Sequence, residues 1–76
     1  MASNMSGADA YYARGIVYGE LGQYQIAIAD FTEAIHLDPD YANAYYIRGI
    51  AYGDLGQYQN ALNDHTKACS LDSQFC

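Results

Sequence analysis

Tryptophan is absent from this chain, and proline, cysteine and basic residues are scarce: one proline, two cysteines, and three lysines and arginines in total. Each scarcity excludes something. Nine aspartates and glutamates outweigh the basic residues and leave a formal charge of −6, which disfavours nucleic acid and anionic membrane surfaces because both recruit Lys and Arg. No apolar run approaches the roughly 18 residues that a membrane span requires. The N-terminus lacks a basic stretch followed by an apolar core, so no secretory leader is expected, and residues 1–5 read as a disordered start or expression remnant. Two cysteines without such a leader point to a reducing, cytoplasmic setting with free thiols, with Cys76 positioned to crosslink two chains in air.

What the chain does have is repetition. Residues 8–42 set against residues 42–76 agree at 20 of 35 positions, a period of 34. Self-similarity at that spacing marks a solenoid, in which one supersecondary unit stacks on a copy of itself because neither can bury its apolar face alone. Half of the residues are hydrophobic (51%), yet nine of them are tyrosines and the mean hydropathy is −0.22, so a soluble chain is expected.

Local signals divide each copy into two helices. Ser6 and Asp40, one period apart, precede apolar stretches as N-caps do. The first helix is expected from about Gly7 to Leu21 and ends at Gly22, with Gly56 playing that part after Leu55; glycine there can take the left-handed conformation that closes a helix. The second runs from Tyr24 to Leu37, with Tyr24, Ala27, Ile28, Phe31, Ala34 and Ile35 forming the stripe of a helix with one buried face. Asp38-Pro39-Asp40 ends it, and the pattern recurs near 42–55 and 58–71. Folding each pair back about Gly22 sets Tyr18 against Ala27 and Tyr11 against Ala34, large against small, with Gly15 allowing the backbones to approach. The same geometry brings Arg14 level with Asp30, and Arg48 level with Asp64 about Gly56. These are expected to be structural ion pairs, with Asp30 and Asp64 or with the Asp of the adjacent repeat, rather than anchors for a ligand carboxylate, because the acidic partners recur at the matching height.

The two copies read Tyr11-x-x-Arg14-Gly15-x-x-Tyr18, Ala27-x-x-x-Phe31, Ala34, Pro39, and Tyr45-x-x-Arg48-Gly49-x-x-Tyr52, Ala61-x-x-x-His65, Ala68, Ser73. This resembles the tetratricopeptide repeat, whose pattern is Trp-x-x-Leu-Gly-x-x-Tyr, Ala-x-x-x-Phe, Ala, Pro. Tyr11 and Tyr45 stand for the Trp, Arg14 and Arg48 for the Leu, and His65 and Ser73 depart in the second copy alone. The resemblance implies an all-α fold: a single domain over 1–76 of two helix-turn-helix hairpins, repeat one at 8–41 and repeat two at 42–75, stacked as a segment of a right-handed α-solenoid. It also implies a protein-protein interaction module, an adaptor or scaffold that takes a peptide or partner helix in a concave groove. By position that groove comprises Asp9, Tyr12, Ala13, Ile16 and Glu20 from the first copy and Asn43, Tyr46, Ile47, Ile50 and Asp54 from the second. The family's carboxylate-gripping subclass places Lys, Arg and Asn there; Tyr12, Ala13, Ile16 and Ile47 do not match, and only Asn43 does. An apolar, mildly acidic groove favours a hydrophobic or basic peptide over an acidic one.

No catalytic constellation emerges: Gly15, Gly19 and Gly22 belong to helices or their ends, not to a phosphate loop after a strand. His65 and Cys69, one helical turn apart and joined at most by Cys76, are the nearest approach to a metal site. Zinc in a structural site wants four ligands, and Phe31 and Ile35 fill the same slots in the first copy, so neither metal nor cofactor is expected. A second expectation concerns assembly. The last helix has no successor to cover Tyr58, Leu62, His65 and Cys69, so these form a self-association face, and a homo-oligomer or a place in a longer array is the alternative to the adaptor reading.

Overall fold

The computed structural model describes residues 5–76, so the expectation for the start of the chain falls, apart from Met5, outside the described residues. Four antiparallel helices follow in order: α1 (Gly7–Glu20), α2 (Tyr24–Leu37), α3 (Ala42–Asp54) and α4 (Tyr58–Leu71). There is no strand among the described residues. Helices α1 and α2 form one hairpin and α3 and α4 the other, and α3 packs on α2 to join them.

Both hairpin turns are built alike. The N–H of Gly22 donates to the Gly19 carbonyl at 3.0 Å and that of Gln23 to the Tyr18 carbonyl at 2.9 Å, the crossed pair that satisfies the last carbonyls of a helix. It requires a left-handed residue between them, and Gly22 has φ +78°; Gly56 repeats the value and the bonds. At the start of α1 the Ser6 hydroxyl accepts from the Asp9 N–H at 3.1 Å. Asp40 does not cap α3 in the same way. Tyr41 holds the cap position without a side-chain bond to the helix end, and the Asp40 N–H instead donates to Asp38 Oδ1 at 3.1 Å. Asp38 thus closes a side-chain turn around Pro39, which competes with capping for the same short acidic segment.

The core is narrow: Ala27, Phe31, Ala34, Ala44 and Ala68 are buried, and among the described residues Phe31 is the one large side chain enclosed. Gly15 serves that ring. A Cβ at Gly15 would sit 2.6 Å from Phe31 Cε1, so the glycine admits an aromatic ring to the surface of α1 rather than a second backbone. At Gly49 the corresponding neighbour is His65, whose Cδ2 would lie 2.8 Å away.

Two features at the C-terminus were not expected. Ser73–Phe75 forms a short 3₁₀ turn, α5, held by the Asp72 carboxylate, which accepts from the Gln74 N–H at 3.1 Å. Cys69 and Cys76 are joined in a disulfide with their Cα atoms 4.6 Å apart, and no free cysteine remains among the described residues. This corrects the expectation of free thiols, and it engages within the chain the Cys76 sulfur that could otherwise crosslink two chains. The reason lies in the turn that follows α4: the Phe75 N–H donates to the Asp72 carbonyl as the Tyr41 N–H does to that of Asp38, and the chain so reversed carries Cys76 back to Cys69.

Candidate functional site

Helices α1 and α3 lie side by side with α2 behind them, and an open pocket of about 300 Å³ sits between. Ile16, Ile47 and Ile50 wall it, Tyr24 and Phe31 of α2 and Ala51 of α3 add apolar surface, and Glu20 and Asp54 stand beside it with Gly19. Five of the ten groove residues expected from the sequence therefore meet in one cavity: Ile16, Glu20, Ile47, Ile50 and Asp54. Tyr24 and Phe31 were assigned only to the apolar stripe of α2. Their spacing of seven places both on the same helical face, and that face runs from the core to the pocket floor.

The other five candidates lie outside this cavity. Asp9 is bound to the far end of its own repeat, since the Tyr41 hydroxyl donates to its Oδ1 at 2.6 Å. Loss of solvation, followed by that bond and the Asp9 charge, raises the Tyr41 phenol well above its usual value of 10.0. Tyr12 packs its ring 5.0 Å from Tyr41 and 6.0 Å from Phe31. Tyr46 repeats the arrangement one period on, with its ring 4.7 Å from Phe75 and 5.4 Å from His65. Ala13 is half-buried on α1 and Asn43 is exposed at the start of α3.

Most of the positive charge is committed inside the protein. Arg14 grips Asp30 with Nε at 3.0 Å from Oδ2 and Nη2 at 2.7 Å from Oδ1; Arg48 holds Asp64 in the same way, at 2.8 Å and 2.7 Å. The bond to the carboxylate, above all, keeps each guanidinium more firmly protonated than in water. Arg14 lies over the Tyr11 ring, and Arg48 over Tyr45 and Tyr52. The carboxylate-matching edge of each Arg is thus taken by its own repeat. Among the described residues the groove is left with Glu20 and Asp54 and no cation of its own, a surface with negative but not positive potential.

On the far side of α3, His65 is exposed against Tyr46, and the Cys69 sulfur is consumed in the disulfide. Tyr58 and Leu62 project outward from α4. Among the described residues no helix is long and apolar enough to cross a membrane.

Comparison with known proteins adds the deciding observation: a family model for the tetratricopeptide repeat matches residues 8–41 and again residues 42–75. The chain belongs to the tetratricopeptide repeat family. Tetratricopeptide repeats are a non-catalytic protein-interaction fold, and the two matched units coincide with the two hairpins described above. A UDP-N-acetylglucosamine–peptide N-acetylglucosaminyltransferase of Giardia intestinalis (strain ATCC 50803 / WB clone C6) is 50% identical over 32 residues. That stretch covers 42% of this tetratricopeptide repeat chain and 2% of the transferase, so the likeness is one of repeat to repeat.

Proposed function

We propose that this chain is an adaptor module whose groove between α1 and α3 binds a peptide or partner helix carrying an apolar anchor beside a lysine or arginine. The observation that carries the reading is the pocket itself. Three isoleucines and two aromatic rings give it apolar walls, its volume of about 300 Å³ suits one or two side chains, and Glu20 and Asp54 flank it. An apolar anchor would be desolvated against Ile16, Ile47 and Ile50, while a neighbouring cation would meet the two carboxylates and gain orientation and on-rate more than affinity. A carboxylate clamp is disfavoured, because no unpaired Lys or Arg faces the cavity to receive an acidic terminus.

Calorimetric titration with three synthetic peptides of equal length tests this: one leucine-rich with flanking lysines, one with glutamates in place of the lysines, and one with serines in place of the leucines. Binding of the first alone is expected. Preference for the glutamate peptide would overturn the reading.

A further inference from the structure

The two repeats fasten the turn after their second helix by different means. In repeat one the Tyr41 ring lies 5.0 Å from that of Tyr12, and its hydroxyl donates to Asp9. In repeat two Phe75 takes the place of Tyr41 and lies 4.7 Å from Tyr46, the counterpart of Tyr12. Phe75 has no hydroxyl to donate, and Asn43 stands where repeat one has Asp9. A covalent bond stands in for the polar one: Cys69 and Cys76 are bridged at the positions that Ile35 and Ala42 hold one period earlier. Both fastenings are built from side chains at matching positions, so the contrast is a property of the repeats and owes nothing to what lies beyond them.

The bridge matters because of where Phe75 sits. Asn43, Tyr46, Ile47, Ile50 and Asp54 occupy the i, i+3, i+4, i+7 and i+11 positions of one face of α3. Ile47, Ile50 and Asp54 line the groove, and Tyr46 comes one turn before Ile50 on that face, stacked against Phe75. The apolar strip is thus capped at this end by the Phe75 ring. Within the turn, the Phe75 N–H donates to the Asp72 carbonyl at 3.0 Å and the Asp72 carboxylate accepts from the Gln74 N–H. These bonds lie inside residues 72–76 and give the turn its shape, while the bridge ties its far end to α4. A ring pair at the surface is a weak contact by itself, and the short link raises the effective concentration of Phe75 at Tyr46.

We propose that the Cys69–Cys76 bridge is a redox latch on the groove: while it stands, Phe75 covers Tyr46, and its reduction by a dithiol frees the ring and lengthens the apolar strip by one turn of α3. The proposal rests on the groove reading above, since it regulates that site. In the chemical step a thiolate of the dithiol bonds to one bridge sulfur as the bond between the two cysteines breaks, and the other cysteine leaves as a thiolate that takes up a proton. The dithiol's second thiolate then bonds to its first sulfur and releases the remaining cysteine, which is protonated in turn. Two electrons have passed to the protein, which now holds two thiols, and the dithiol has become a disulfide. The fastening of repeat one contains no sulfur, so the Tyr12 end stays closed under the same conditions.

Nuclear magnetic resonance of the full chain, oxidised and in dithiothreitol, reads the latch through ring-to-ring contacts between Phe75 and Tyr46, with those between Tyr41 and Tyr12 as internal control. Calorimetric titration of the leucine and lysine peptide into each form reads the consequence. Cys69→Ser combined with Cys76→Ser supplies an open form without reductant, and Phe75→Ala supplies one with the bridge intact should the unbridged chains lose helicity. The Phe75 contacts are expected in the oxidised wild type alone and the Tyr41 contacts in every form. The peptide is expected to bind about tenfold more tightly to the reduced chain and to both variants than to the oxidised wild type. Phe75 contacts that survive reduction, or a peptide bound equally by the oxidised wild type and by Phe75→Ala, would overturn the latch while leaving the groove in place. A peptide bound by no form would instead bring down the groove reading and its regulation together.

Discussion

Removing Asp64 and removing Asp30 are chemically the same change, made in two surroundings that should give different costs. Both carboxylates are buried and both hold their arginine through two bonds. What differs is the arginine left behind. Arg48 lies under the joint between the hairpins, 16% exposed; without Asp64 it keeps one bond to Thr32 and the faces of Tyr45 and Tyr52. Breaking a buried pair by deleting one partner costs about 3 to 5 kcal/mol, and these residual contacts place Asp64→Ala near the lower end, about 3 kcal/mol. For a domain of this size that lowers the melting temperature by roughly 15 °C. Arg14, 58% exposed, can turn into water once Asp30 is gone, so Asp30→Ala should cost clearly less. Urea unfolding followed by circular dichroism at 222 nm measures both. An osmolyte such as trimethylamine oxide can hold Asp64→Ala folded, because its expected loss approaches the roughly 3 to 5 kcal/mol of net stability that a core this small supplies. Combining Asp64→Leu with Arg48→Met should recover most of the loss, since the cost comes from the stranded guanidinium and not from the missing pair. If Asp30→Ala proves as damaging as Asp64→Ala, burial by the neighbouring repeat is not what sets the cost.

Ile50→Asp should weaken binding of the leucine and lysine peptide about tenfold or more while leaving helicity intact, because it puts a charge into the apolar wall; an unchanged affinity in calorimetry would move the site elsewhere. The raised phenol of Tyr41 gives an alkaline signature. Its contribution to stability is complete below pH 10 and is lost as the pH rises beyond that, because the unfolded chain then gives up the proton first. Tyr41→Phe should therefore be less stable than wild type at neutral pH, with the gap narrowing above pH 10, and a gap independent of pH in thermal melts would refute the assignment. Neither cysteine of the folded protein should react with iodoacetamide until a dithiol is added, and mass spectrometry reads the difference directly. Cys76→Ser should lower the thermal midpoint, since a link across seven positions restricts the unfolded chain by about 2 kcal/mol in the chain-entropy treatment.

The sequence carried the fold well, because the period, the stripe on α2 and the glycines at 22 and 56 all state the same hairpin twice. The ion-pair heights followed from counting outward from those glycines. The groove was half legible. Position alone picked out Ile16, Ile47 and Ile50, but the pocket depends on how deep α2 lies behind α1 and α3, and Tyr24 and Phe31 carried no mark separating core from cavity floor. Tyr12 and Tyr46 leave both readings open in the sequence, because a tyrosine on a first helix reads the same whether it faces a ligand or another ring. The Cys69–Cys76 link was hidden for a simpler reason: its closure depends on the turn after α4, and two cysteines seven positions apart read the same whether free or joined.

Internal duplication gives the protein an experiment that most chains cannot offer. Where a residue type recurs at equivalent places, as with Arg14 and Arg48, any difference in exchange rate, titration or mutational cost reports the surroundings with chemistry held constant. Where the residue types have parted, the position shows which constraint has relaxed. Asp30 and Asp64 agree at the face shared within each hairpin, whereas enclosed Phe31 corresponds to exposed His65, and half-buried Ile35 to Cys69, which is tied to Cys76. Divergence between the copies thus marks the places where one fold meets two different surroundings.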